Sequence, residues 1–270
     1  MKLYYSPLSV YSAKSRIAMF EKAIAHETRL VNWTPGTGWI KPEELPRLNP
    51  KAQIPVLVDG DAVVPDSTVI LEYLDERFPK PALFPSGAVE RARCRVLEDL
   101  GDTLIAPNLG VLVREVLLKP DASTRDRDAV AQTKAELARQ YQRLDRELGR
   151  LEYLCGEFSV ADISCFSPIN IASLMEGAPS PEFSNVVSWF SRMSKRPSVA
   201  RYLAEFSEAT APLRASTPAA SAHGYRFDGH RIEESRSERA GANSSLAHSV
   251  LGTYSKKQTD WVCAAAASVR

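Results

Sequence analysis

Residues 53–70 constrain the fold more than any other stretch. Gln53-Ile54-Pro55-Val56-Leu57-Val58-Asp59-Gly60, then Pro65-Asp66-Ser67-Thr68-Val69-Ile70, reads as strand, turn, strand and helix. Val56 to Val58 is an apolar, β-branched run that begins at a proline, whose missing N–H is tolerated at a strand start. Asp59-Gly60 is a hairpin signal, because glycine accepts the positive φ of a tight turn. Ala62 to Val64 returns as the second strand. Asp66 or Ser67 caps a helix whose apolar positions are Val69, Ile70, Leu74 and Phe78. An Ile-Pro bond admits the cis form, which leaves the preceding backbone free to pair with a ligand. A helix N-terminus with a hydroxyl and free N–H groups receives anions. This one segment therefore offers a peptide-like edge and, next to it, a carboxylate receptor.

The rest of the chain divides around it. Lys2 to Tyr5 reads as a first strand, and a turn with several hydroxyls (Ser6, Ser9, Tyr11, Ser12) leads into a helix burying Ile17, Ala18, Phe20 and Ile24. Residues 28–33 read as a second strand, parallel to the first because a helix connects them. Residues 34–38 read as a loop and 41–48 as a short helix. Pro-rich residues 80–87 read as a linker, separating a domain over 1–79 from one over 88–210. The second half has only helical patterns. Val89, Ala92, Val96, Leu100 and Leu104 suit one face of a long helix. Val130, Leu137, Tyr141, Leu144, Leu148 and Leu151 suit another, spaced like a bundle member. Ser159-Val160-Ala161-Asp162 is a capping box, with Phe158 and Ile163 as its staple. Pro168 is expected to kink or shorten the helix that follows. Phe183, Val186, Val187, Phe190 and Met193 mark a further helix, and Val199, Tyr202, Leu203 and Phe206 the last. Residues 211–270 change to small, polar and charged residues, the composition of an irregular tail.

With 270 residues the chain can build two ordinary domains. Its net charge of +1 gives no argument for nucleic acid or a membrane surface. No apolar run is long enough to span a bilayer. The four cysteines, Cys94, Cys155, Cys165 and Cys263, are scattered without a Cys-x-x-Cys pair. That implies neither a metal site nor a disulfide framework, and a reducing, cytoplasmic location is expected. Of the four histidines, three lie in the tail, and none sits in a motif; surface positions are expected for them.

The ordered set of motifs resembles the glutathione S-transferase family over residues 1 to about 208. The set is the first strand with Ser9 before the first helix, Gln-Ile-Pro-Val-Leu, Asp-Ser-Thr-Val-Ile-Leu-Glu-Tyr-Leu, and Phe-Ser-Val-Ala-Asp-Ile. The resemblance implies an α/β thioredoxin-like N-terminal domain plus an all-α helical bundle domain, a cytoplasmic homodimer, and glutathione as co-substrate with no metal. A serine near the first helix is similar to the theta, zeta and related bacterial serine-type enzymes. Ser9 then matches the catalytic serine, with Ser6, Tyr5, Tyr11 and Ser12 as alternative hydroxyls. Ile54 matches the residue that pairs with the cysteinyl backbone of glutathione, and Pro55 the cis proline. Asp66 and Ser67 match the pair that holds the γ-glutamyl end. Many relatives carry Glu at position 66, and the shorter Asp weakens the contact expected to the ammonium. Lys41 or Gln53 is available to the glycine carboxylate, a solvated Lys41 being nearly as good a reading.

The implied activity is attack of glutathione sulfur on a small apolar electrophile, as in detoxification. Leu8, Val10, Tyr11, Leu109, Val113 and Leu117 are candidate walls for that electrophile. Glutathione-dependent isomerisation, dehalogenation or aryl-ether cleavage, and a non-catalytic binding module, are the competing readings. Asp99 and Asp102 are expected to be solvated or interface charges, and Asp162 a structural cap.

Overall fold

The computed structural model describes residues 1–34, 37–119 and 121–215. Expectations for the tail beyond 215, its three histidines and Cys263 among them, lie outside the described residues.

A four-stranded sheet carries the N-terminal half. Its strands are β1 (Lys2–Tyr5), β2 (Glu27–Leu30), β5 (Val56–Asp59) and β6 (Ala62–Pro65), in the order β2-β1-β5-β6. β1 runs parallel to β2 and antiparallel to β5, and β5 is antiparallel to β6. The parallel pair follows from the crossover through helix α1 (Val10–Glu21). The hairpin closes at Gly60, where φ is +59°. Helix α3 (Ser67–Arg77) follows β6, and α1 and α3 bury Ile17, Ile70, Leu71 and Leu74 in one core. With the helical C-terminal half, this is a thioredoxin-like domain joined to an all-α domain, as expected.

Several local expectations change. The second strand stops at Leu30. Asn32–Thr34 is a separate strand, β3, which pairs with β4 (Gly38–Ile40) in a two-stranded sheet of its own. Trp33 lies opposite Trp39 there, and such cross-strand aromatic pairs stabilise a short hairpin. The short helix α2 covers only Leu45–Leu48. Ile24 and Phe78 lie just past the ends of their helices, and Val69 is exposed.

In the second half, α4 (Ala88–Leu100) buries Cys94, Leu97, Glu98 and Leu100. Val89, Ala92, Val96 and Leu104, expected inward, are exposed. The chain continues through a π-helical turn, Gly101–Ile105, which shifts the face that points inward. After α5 (Leu109–Leu112) and a second π-turn comes α6 (Arg127–Leu148), which buries Leu137, Tyr141, Leu144 and Leu148 as expected. The capping box forms at the start of α7 (Val160–Ser173). That helix runs on through Pro168, contrary to an early end. Its missing N–H removes the bond that would go to the Ser164 carbonyl. Gly101 approaches that carbonyl so closely that a Cβ at position 101 would lie 2.5 Å from it. α8 (Ser184–Lys195) and α9 (Pro197–Ala215) complete the domain. α8 also buries Trp189, absent from the expected set. No helix among the described residues is long and apolar enough to cross a membrane.

Candidate functional site

The sheet register brings the candidate residues together. Tyr4 lies opposite Val56, and Val56 opposite Pro65, so these three residues form one row across the sheet. Beyond that row, at the same end of the sheet, three segments emerge. β1 runs out into residues 6–9, Ile54 and Pro55 lead into β5, and β6 runs out into Asp66 and Ser67. The Lys14 ammonium donates to the Thr68 hydroxyl at 3.2 Å, which pins the first turns of α1 and α3 to each other.

Ser9 caps α1. Its Oγ accepts from the Ser12 N–H at 3.2 Å, which leaves the hydroxyl proton to donate elsewhere. The residue is 9% exposed, at the positive end of the α1 dipole. Among the alternative hydroxyls, Tyr5 is turned away: it donates to Glu205 at 3.2 Å, and burial pushes its pKa up to about 12. Ser6 is buried and its Oγ accepts from Leu8 N–H at 3.4 Å. Ser12 Oγ is buried without a hydrogen-bond partner among the described residues. Tyr11 is half-buried; burial and the carboxylates of Asp102 and Asp66 raise its pKa, so it stays a phenol.

The Ile54–Pro55 peptide is cis, and Ile54 lies just outside the sheet ladder, which begins at Val56. Asp66 has φ +77°, caps α3 and accepts from the Thr68 N–H at 2.9 Å through Oδ1. Ser67, 4% exposed, is the first residue of α3. Gln53 is exposed next to Ile54, and its carbonyl accepts from Asn49 at 2.9 Å. Lys41 is exposed just after β4, and the sheet register does not bring it to this row.

Sequence reasoning missed the charge network behind the site. Lys14, 1% exposed, donates to Glu98 at 2.8 Å and Asp102 at 2.5 Å. Thr68 also donates to Glu98, at 2.8 Å. Burial works against the Lys14 charge, yet Asp102 and Glu98 outweigh it and raise the lysine's pKa. Burial raises the Asp102 pKa, and Lys14 pulls it back. At 2.5 Å we take this as an ionised pair. Asp102 is therefore no solvated charge; it ties the π-turn after α4 to Lys14 of α1, while Glu98 of α4 reaches both Lys14 and Thr68 of α3. Asp99, by contrast, is exposed. His26 is also not a plain surface residue. It is half-buried between the Ile24 carbonyl, at 2.7 Å, and the Arg16 guanidinium, and burial lowers its pKa.

Leu109 is buried, while Leu8, Val10, Val113 and Leu117 are partly buried against the main core. A cavity of about 100 Å³ lies elsewhere, lined by Lys134, Tyr141, Gly177 and Phe183 among others. It is too small for a tripeptide.

Residues 8–77 match the family model described as "Glutathione S-transferase, N-terminal domain", and residues 106–197 match "Glutathione S-transferase, C-terminal domain". The chain belongs to the glutathione S-transferase family. A stringent starvation protein A homolog of Coxiella burnetii is 45% identical over 97 residues, 36% of this chain and 44% of that protein. The chain thus spans under half the length of that relative. Glutathione S-transferase F14 of Arabidopsis thaliana is 28% identical over 190 residues, 66% of this chain and 72% of the relative. The crystal structure of a glutathione S-transferase from Rhodospirillum rubrum F11 superposes with a TM-score of 0.66 at 27% identity, covering 75% of this chain and 91% of that one.

Proposed function

We propose that this chain binds glutathione at the end of the sheet and activates its thiol with Ser9, for attack on a small apolar electrophile. The observation that carries this reading is the Tyr4–Val56–Pro65 row, from which the Ser9 turn, Ile54-Pro55 and Asp66-Ser67 all emerge. The Ile54 backbone pairs with the cysteinyl unit. The Ser67 hydroxyl and N–H take the γ-glutamyl carboxylate at the α3 N-terminus, and Asp66 takes the ammonium. Lys41 or Gln53 takes the glycine carboxylate.

The sulfur then lies by Ser9. A free thiol has a pKa of about 8.5, and only the thiolate is a good nucleophile. Ser9 Oγ–H donates to the thiolate and not to the thiol, and the α1 N-terminus adds its field. Lowering the pKa by about two units takes about 2.7 kcal/mol, within reach of one charge-assisted bond plus that field. No metal has a part in this scheme, and a reducing cytoplasm suits the free thiols of Cys94, Cys155 and Cys165.

Ser9→Ala tests the role. With 1-chloro-2,4-dinitrobenzene as electrophile, kcat/KM should fall about 100-fold, on the order of 2.7 kcal/mol. Glutathione affinity by calorimetry at pH 6, where the bound sulfur is mostly thiol, should change less than about threefold, and the lost cap should lower stability by about 1 kcal/mol. Unchanged turnover would remove Ser9 from the chemistry. Absence of binding at millimolar glutathione would sink the reading as a whole.

A second reading keeps glutathione binding without transfer. It is favoured by the 45% identity to a relative whose name carries no transferase activity. Binding without product across a panel of halides, isothiocyanates, epoxides and aryl ethers would select it, and turnover that regenerates glutathione would select an isomerase.

Family membership also supports a homodimer. Val69 of α3 and Val89 and Val96 of α4 are 52%, 78% and 56% exposed, with Val63 and Leu104 exposed as well. We infer that these side chains belong to the association surface. Sedimentation at micromolar concentration should give twice the chain mass, and Val89→Lys with Val96→Lys should halve it. A wild-type monomer would exclude the dimer.

A further inference from the structure

The helical domain reaches into the turn that carries Ser9. Tyr202 of α9 and Ser167 of α7 are both fully buried. The Tyr202 hydroxyl donates to the Pro7 carbonyl at 3.1 Å, and the Ser167 hydroxyl donates to the Val10 carbonyl at 3.1 Å. These carbonyls flank Ser9, one lying two residues before it and the other directly after. From this pair of cross-domain bonds we propose that Tyr202 and Ser167 are positioning residues for the Ser9 hydroxyl. The inference rests on the reading of Ser9 as the group that activates the thiol. Both residues act through the turn and not on the sulfur.

The turn has few bonds of its own. The Ser9 N–H donates to the Ser6 carbonyl at 3.1 Å, and the Leu8 N–H reaches Ser6 Oγ only at 3.4 Å. Pro7 has no N–H to add. Ser9 itself is tied forward to α1, by its cap to the Ser12 N–H and by its carbonyl, which accepts from the Ala13 N–H at 2.9 Å. On the other side, Tyr202 fixes the plane of the Pro7–Leu8 peptide. A buried carbonyl without its donor costs free energy, so that plane would turn toward another donor and carry Ser9 with it. A displacement on the order of 1 Å at a reacting group costs up to about 100-fold in rate.

Both donors are themselves held. A serine inside a helix ordinarily returns its hydroxyl to a carbonyl of its own preceding turn, as Ser173 does to Ile169 at 2.7 Å. Ser167 instead directs it across the domain boundary to Val10. Tyr202 shares a face of α9 with Glu205, three residues on. Glu205 accepts from Tyr5 Oη at 3.2 Å and from Arg16 Nε at 2.8 Å, so that face of α9 also grips the end of β1 and the middle of α1.

Tyr141 gives a matched control. It is 2% exposed, and its phenol donates to the Gly177 carbonyl at 2.7 Å, the same kind of bond between α6 and the segment after α7. The test titrates the ultraviolet absorbance of glutathione thiolate bound to the folded full chain, beside the pH profile of kcat/KM with 1-chloro-2,4-dinitrobenzene. Tyr202→Phe should raise the pKa of the bound thiol by about one unit and lower kcat/KM near pH 6 about tenfold. Calorimetric affinity for glutathione at pH 6 should change less than about twofold. Ser167→Ala should shift the pKa in the same direction by less. Tyr141→Phe should lose comparable stability in urea and keep the wild-type pKa. An unshifted pKa in Tyr202→Phe, or in Ser167→Ala should the phenylalanine variant not fold, overturns the inference, as does an equal shift in Tyr141→Phe. If Ser9→Ala raises the pKa in the same experiment, that failure leaves the Ser9 reading intact. A wild type without bound thiolate, or one whose pKa Ser9→Ala leaves unchanged, overturns that reading and this inference together.

Discussion

Lys14→Met is expected to lower folding stability by about 3–5 kcal/mol at pH 7.5, the cost of leaving buried charge without its partner. Glu98 is 3% exposed and Asp102 20%, and both accept from the Lys14 ammonium, at 2.8 and 2.5 Å. Without it, two carboxylates face each other between α1, α3 and α4, and only the Thr68 hydroxyl still donates to Glu98. Methionine matches the stem of the lysine, so little of the loss comes from a cavity. The variant relieves the repulsion by taking up a proton, so its deficit should shrink between pH 7.5 and pH 5. Lys14→Met with Glu98→Gln should recover part of the loss at pH 7.5, because one buried charge is gone. Urea unfolding followed by circular dichroism gives all three numbers. A deficit below about 1 kcal/mol at both pH values would mean that the carboxylates reach water. Because Thr68 is the second residue of α3, the same variant should also weaken glutathione binding if Ser67 holds the γ-glutamyl carboxylate.

That network also marks the limit of what the chain discloses in one dimension. The 53–70 segment was legible because its signals are local: a proline-opened β-branched run, Asp59-Gly60, and a cap before a helical repeat. The Ser159–Asp162 box was legible for the same reason. Helix α4 was not. Of the expected inward face, Leu100 is buried but Val89, Ala92, Val96 and, beyond the helix, Leu104 are exposed, and beside Cys94 and Leu97 it is Glu98 that goes in. Its burial is set by Lys14, far away in sequence, and no helical periodicity carries that partner. Gly101 adds to the error, since the π-turn there moves the buried face. The β3–β4 pairing was missed although Trp33 and Trp39 stand either side of a Gly- and Pro-containing sequence, a signal that a search for cross-strand pairs would have found. Residue types and order nominated Ser9, Ile54, Pro55, Asp66 and Ser67 as candidates, and the sheet register brings their segments to one end.

Asp162→Ala is expected to be the most damaging single substitution, at about 5 kcal/mol, a large share of the roughly 5–15 kcal/mol that holds an ordinary domain together. The side chain is fully buried and acts as acceptor for three separate segments. Oδ1 takes the Leu154 N–H at 2.9 Å and the Trp189 indole N–H at 2.8 Å. Oδ2 takes the Ser159 N–H and hydroxyl, both at 3.0 Å. Alanine strands these donors in the core, where each unsatisfied group costs about 1–3 kcal/mol, with less than full additivity. It also frees the turn before α7 from α8, so the loss reaches beyond one helix end. Ser159→Ala, which removes only the hydroxyl, should cost about 1 kcal/mol. Asp162→Asn keeps the shape but turns an N–H₂ toward donors, so it should fall between the two. Burial pushes the Asp162 carboxyl up to about 6, against the pull of its four donors, and at neutral pH it is ionised. Its folded pKa lies above the unfolded value of about 3.9, so protonation favours the fold. Wild type should therefore gain stability relative to Asp162→Asn as pH falls from 6 to 4. Equal unfolding midpoints for Asp162→Ala and Ser159→Ala would show that the box is only a helix cap. A gap of several kcal/mol would show that Asp162 ties α7 to the Leu154 turn and to α8.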